Sequence, residues 1–237
     1  MIQTSLQSQS SPQFLENGKI LHVPFSGTCR VASWAIHGGG ISDADGVTWL
    51  RVCSKDIQPP IDPKELLKDY LDKHGLSGSV GLMTSANLQN VSTVIKSFGG
   101  FWAKATATVG LGNSMRIGDH PSPSGRIGTI NILCELSQPL SDEGLLEGLG
   151  MVTEAKTCAM LEAGINSYLT GAKATGTGTD CIVIASPSSH RNSPYCGKHT
   201  TIGHILGSAA YEAVKEGIGK WKRDFPNHKI LQENNHG

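Results

Sequence analysis

Residues 174–186 read ATGTGTDCIVIAS, and the fold turns on how this stretch is read. Its second half, DCIVIAS (180–186), is short, apolar and β-branched, which is the composition of a buried strand. Its first half alternates Gly and Thr. It carries neither GK[ST] nor a G-x-G-x-x-G turn opening onto a helix, so this strand is not fed by a nucleotide-binding turn. If 174–180 is extended, Thr175, Thr177 and Thr179 share one face, roughly 7 Å apart, and Gly176 and Gly178 leave the other face bare. A bare face admits a neighbouring strand or a ligand. The run is therefore either a supple lead-in to the strand or a surface that holds something.

Working outward, RIGTINILCEL (126–136) is the clearest strand and is expected at the centre of a sheet. FWAKATATVGL (101–111) alternates in the β manner, and SVGLMTSA (79–86) is a short buried strand. GKILHVPF (18–25), RVASWAI (30–36) and VTWLRVCS (47–54) are three strands of a meander, with GGG and SDADG between 38 and 46 as a loop. NVSTVIKSF (90–98) fits a helix or a strand. PKELLKDYLDKHG has helical spacing and a C-terminal Gly75. SDEGLLEGLGMVTEAKTCAMLEAG (141–164) is the clearest helix, with Ser141 as N-cap and Asp142 and Glu143 in the first turn. A last helix runs from Thr200 or Thr201 to Trp221. The expected architecture is a single mixed α+β domain over 16–230, a mixed β-sheet packed by helices and not a Rossmann fold. Residues 1–15 and 231–237 are expected to be flexible tails.

Two further stretches carry polar side chains in unusual places. At ~100° per residue, Lys156 of TEAKT projects from the apolar stripe of Leu145, Leu149, Val152, Ala159 and Met160, while Glu154 lies on the other side. A lysine so placed snorkels out or meets a carboxylate such as Asp180. In YCGKHTTIGH (195–204), a helix N-terminus follows a polar loop, with His199 just outside it. Such a terminus binds anions or polarised carbonyls, and His199 is a candidate proton shuttle. The alternative is a capping loop with a surface histidine.

Twenty basic and twenty acidic residues cancel, without a basic arm, so no nucleic-acid partner is expected. No apolar run approaches the ~20 residues of a membrane span, and the N-terminus lacks the pattern of a secretory signal. Six cysteines without C-x-x-C spacing suit a reducing, cytoplasmic setting. His199 and His204 are five apart and no H-E-x-x-H occurs, so no metal site is expected.

The ordered set GLMTSA (81–86), ATATVGLGNS (105–114), GTINILCEL (128–136), TEAKT (153–157), TGTGTD (175–180) and GKHT (197–200) resembles the adenosylcobinamide amidohydrolase family, CbiZ, from about residue 25 to 218. The resemblance implies a cytosolic salvage enzyme. It would hydrolyse the amide between a corrin side chain and aminopropanol in adenosylcobinamide, giving adenosylcobyric acid. The corrinoid is then substrate, no cofactor is needed, and a homo-oligomer is possible. On this reading Glu154 or Asp180 activates water, and Lys156 with backbone N–H groups near Thr200 stabilises the oxyanion. His199 protonates the leaving amine, and a covalent route through Thr177 or Thr179 stays open. Substrate contacts are expected from Thr84, Asn113, Thr175, Thr177, Thr179 and Thr200. One departure is His204, where the family tends to carry an acidic residue. The alternatives are a non-catalytic corrinoid-binding module and an amide hydrolase of another substrate.

Overall fold

Residues 11–121 and 127–226 are described by the computed structural model of the chain. Gln13–Leu15 (β1) pairs antiparallel with Ile20–Ser33 (β2), which turns into Gly40–Arg51 (β3). The tail expected over 1–15 therefore does not include Gln13–Leu15, because Leu15 packs with Ile57 and Leu66 against the cluster of Ile20 and Leu50. The expected tail 231–237 and residues 1–10 lie outside the described residues.

The two N-terminal strands expected from the sequence are one long strand, with its register shifting between Pro24 and Cys29. SDADG, expected as loop, is part of β3: Ile41, Ser42 and Asp43 pair with Ala32, Val31 and Arg30. The polar residues are tolerated there because Ser42 is half-buried and Asp43 and Asp45 are exposed, while Ala44 between them is buried.

Pro63–Lys73 (α1) starts at Asp62, whose Oδ1 accepts from the Lys64 N–H at 2.8 Å. Ser79–Thr84 (β4) then pairs parallel with β3. The segment that fitted helix or strand is Ser92–Phe98 (β5), antiparallel to Phe101–Val109 (β6). Ser114–Met115 (β7) is short, and Ile130–Leu136 (β8) follows. Asp142–Glu162 (α2) is capped by Ser141, whose hydroxyl accepts from the Gly144 N–H at 3.3 Å. Gly176–Thr177 (β9), Cys181–Pro187 (β10) and Thr201–Asp224 (α3) complete the chain.

The main sheet runs β4-β3-β2-β10-β8-β6-β5, and β7 and β9 form a separate ribbon. β8 and β10 are parallel neighbours in the middle, as their apolar runs require. Residues of alternate parity on these strands serve two cores. Ile130, Ile132, Ile182 and Ile184 face α2 and α3, with Val152, Met160 and Leu206. Leu133, Val183 and Ala185 face the other way and meet Val23, Trp49, Val80 and Leu82 of β2, β3 and β4. The sheet therefore folds over on itself through β2. The outer side of β3 and β4 is covered by Leu67 and Leu71 of α1. The layers run helix, sheet, sheet, helix: mixed α+β, with mixed strand directions and no Rossmann alternation.

Candidate active site

Where the folded-over halves part, β4 approaches the start of β8. Asn131 of β8 donates from Nδ2 to the Met83 carbonyl of β4 at 2.8 Å. Beside this tie opens a cavity of about 550 Å³. Its walls come from the starts of β8 and β10, the end of β4, and the segments after β2 and β3. Trp34, Ile36 and Ile127 present exposed apolar surface on it, Trp34 being 50% exposed. Cys181 also lines it; burial pushes its thiol up to about 11, so it is a neutral small side chain rather than a thiolate nucleophile.

Asp180, one residue before β10, is the charged group of the wall among the described residues. Its carboxylate takes four donors. Lys156 Nζ and the Thr177 N–H (3.0 Å) bind Oδ2; the Thr177 hydroxyl (2.5 Å) and the Ile130 N–H (3.1 Å) bind Oδ1. Lys156 arrives from α2 through its apolar face, and both side chains of the pair are about nine-tenths buried. The Asp180 carbonyl accepts from the Trp34 indole N–H at 2.7 Å, which fixes the tryptophan over the site.

The Gly–Thr run now has a physical meaning. A Cβ on Gly176 would lie 2.2 Å from Asp180 Oδ2 and 2.5 Å from Lys156 Nζ, so the ion pair rests directly on bare backbone. The run is not a continuous extended face. Only Gly176 and Thr177 pair, opposite Met115 and Ser114 of β7. The three threonines part company. Thr175 Oγ1 accepts from the Ile117 N–H at 2.9 Å, Thr177 serves Asp180, and Thr179 donates to the Gly128 carbonyl at 3.0 Å.

The sequence candidates thus separate. Asp180, Thr179, Thr84 and Asn113 line the cavity, and Lys156 and Thr177 stand directly behind Asp180. Thr84 is occupied locally, its hydroxyl accepting from the Ala86 N–H at 3.0 Å. Glu154, His199, Thr200 and Thr175 are not on the cavity wall. Glu154 is solvent-exposed on the outer side of α2, paired with Lys198. His199 is exposed, and Thr200 spends its hydroxyl capping α3 at the Gly203 N–H, 3.0 Å away. His204 stacks edge-on against Phe98 at the far hairpin.

Sequence reasoning missed Trp34, Ile36, Ile127, Gly128, Thr129 and Asn131. Trp34 and Ile36 sat in an apparent strand. Asn131 carried a usable signal, an amide inside the otherwise apolar run TINIL. Among the described residues, no group of three or more His, Cys, Asp or Glu is arranged to hold a metal ion, and no helix is long and apolar enough to cross a membrane.

Fold and cavity together describe an α+β protein with a buried ammonium–carboxylate–hydroxyl cluster set into the wall of an open, largely apolar cleft. The chain belongs to the adenosylcobinamide amidohydrolase family, CbiZ, whose model matches residues 3–226. An adenosylcobinamide amidohydrolase of Methanosarcina mazei is 28% identical over 69% of this chain and 78% of its own length. An uncharacterized protein of Methanocaldococcus jannaschii, MJ1613, is 31% identical over 59% of this chain, and the match spans 62% of that protein's length. The PH0078 protein of Pyrococcus horikoshii superposes at a TM-score of 0.43 and 13% identity, covering 85% of this chain and 76% of that one, too distant to carry an argument.

Proposed function

We propose that this chain hydrolyses the amide between the corrin side chain and aminopropanol of adenosylcobinamide, releasing adenosylcobyric acid and 1-amino-2-propanol, in corrinoid salvage. The corrinoid is its substrate and not a resident cofactor. The observation that carries this reading is Asp180 on the cavity wall, hydrogen-bonded at once to the Lys156 ammonium and the Thr177 hydroxyl, in a chain of this family.

Amide hydrolysis needs an activated nucleophile, charge stabilisation at the carbonyl oxygen and a proton for the leaving amine. All four acceptor positions of Asp180 are filled, so an attacking water would have to displace a donor. The Thr177 hydroxyl already points its proton at Oδ1 and is the group Asp180 activates. Its oxygen attacks the carbonyl carbon, an ester to the chain forms, and the proton held by Asp180 passes to the departing amine. Water then adds to the ester by the same proton route in reverse, freeing the acid and restoring Thr177. Lys156 supplies the positive charge beside the developing oxyanion. Glu154 and His199 have no step in this scheme, because both are solvent-exposed away from the cavity and neither belongs to the hydrogen-bonded cluster at Asp180.

Cavities of roughly 300–1,000 Å³ enclose drug-sized ligands. A corrinoid is larger, so a cleft of about 550 Å³ takes the aminopropanol arm while the flat ring rests on Trp34, Ile36 and Ile127. The test is to incubate the protein with adenosylcobinamide and identify corrinoids by mass spectrometry. Adenosylcobyric acid supports the reading. Unaltered corrinoid retained by the protein would favour a binding module instead.

A further inference from the structure

We infer that Asn113 is the residue that recognises the scissile bond as an amide, by accepting a hydrogen bond from its N–H. This rests on the amidohydrolase reading above and names a substrate-selecting group within it.

Asn113 lies on the cavity wall and is only 7% exposed. Its Oδ1 is buried and has no hydrogen-bond partner among the described residues. A buried amide oxygen without a donor is rare in folded proteins, and leaving one unmet is unfavourable. The surroundings keep it so. Asn113 lies against Gly128, where a Cβ would come within 2.6 Å of Oδ1. The nearby side chains are already committed: Thr129 donates its one hydroxyl proton to the Thr179 carbonyl at 2.8 Å, and Thr179 donates to the Gly128 carbonyl.

The position of this acceptor gives it a role. In the β7–β9 ribbon Ser114 stands opposite Thr177, which sets Asn113 beside Gly178, the residue that follows Thr177. A Cβ on Gly178 would be 3.8 Å from Asn113 Nδ2, so the two are neighbours across the ribbon. A secondary amide whose carbonyl carbon approaches Thr177 has one N–H to place. Among the described residues, Asn113 Oδ1 is an unmet acceptor on the same cavity wall. An ester has no such hydrogen and would set a lone pair against Oδ1, so the same side chain favours amides over esters. A site built to receive an N–H discriminates strongly against the analogue that lacks it.

The experiment measures kcat/KM of wild type and Asn113→Ala on adenosylcobinamide and on its isosteric ester, the propane-1,2-diol ester of adenosylcobyric acid. The quantity read is the amide-to-ester ratio, which does not depend on how much of a preparation is folded. The inference expects the ratio to fall by about tenfold or more in Asn113→Ala, the amide slowing while the ester holds or improves. Asn113→Ser, which leaves a smaller gap beside Gly128, gives the same reading if the alanine variant does not fold. Equal slowing on both substrates overturns the inference and leaves the amidohydrolase reading intact. A wild-type protein that cuts neither substrate overturns both.

Discussion

Gly176 and Gly178 stand two residues apart in one run, yet the structure assigns them opposite tolerance to a methyl group. On Gly176 the new carbon would be 2.2 Å from Asp180 Oδ2, where ordinary contact begins at 3.4 Å, so about 1.2 Å must be found by displacement. The Lys156 end of the pair can swing. The Asp180 carboxylate is held by two backbone N–H groups and a hydroxyl and cannot follow without losing them. Overpacking of this kind costs about 1–3 kcal/mol. In a chain of this size that lowers the melting temperature by roughly 2–12 °C. On Gly178 a methyl group meets Met115 Sδ at 3.5 Å and Asn113 Nδ2 at 3.8 Å, both ordinary contacts. Neither glycine has a positive φ, so backbone strain does not confuse the comparison. Gly176→Ala should therefore melt lower and lose most of its turnover. Gly178→Ala should melt within ~0.5 kcal/mol of wild type. Paired thermal unfolding with an activity assay reads both. Equal behaviour of the two variants would refute the claim that bare backbone at 176 seats the ion pair.

Three other outcomes follow from the same geometry. Trp34→Ala should raise KM for adenosylcobinamide more than it lowers kcat, because Trp34 offers apolar surface and its indole N–H bonds to a backbone carbonyl, that of Asp180, and not to its carboxylate; a pure kcat loss in steady-state kinetics would contradict this. Lys104 and Glu135 form a buried pair at 2.8 Å, and burial pushes the Glu135 carboxyl up despite the lysine. Glu135→Leu alone should cost about 3–5 kcal/mol, whereas Lys104→Met with Glu135→Leu should be near neutral in denaturant titrations. With its folded value raised, Glu135 contributes fully below pH about 4.5 and less as pH rises through that folded value. The double variant should gain on wild type as pH rises across that window, and a constant difference would count against the assignment. Iodoacetamide at pH 8 should label exposed Cys53 and spare Cys181 and Cys196, whose thiols burial pushes up to about 11 and 12; peptide mapping that finds Cys181 alkylated first would reverse this.

The elements legible in the sequence were those whose pattern repeats. RIGTINILCEL and DCIVIAS are the central pair, and the stripe around Leu145 and Met160 faces the core. What escaped was non-local. Nothing in RVASWAI says that Trp34 leaves the strand and donates to a carbonyl 146 positions later. SDADG has loop composition, yet pairing with β2 makes it strand. The site was half visible for the same reason. Lys156 stood out because a charge inside an apolar stripe demands a partner, and that partner is Asp180. Glu154 looked equivalent by composition, but one helical face away it meets solvent and Lys198. The folding of the sheet through β2, which makes the cavity, has no local signature.

The most direct test compares turnover of adenosylcobinamide by wild type, Asp180→Asn and Glu154→Gln, following adenosylcobyric acid by mass spectrometry. Asp180→Asn should lose a hundredfold or more, the scale of a missing proton acceptor, while Glu154→Gln should stay near wild type. A folded Asp180→Asn with near-normal turnover, or a Glu154→Gln that is inactive, would contradict the assignment of the chemistry to the Asp180 cluster.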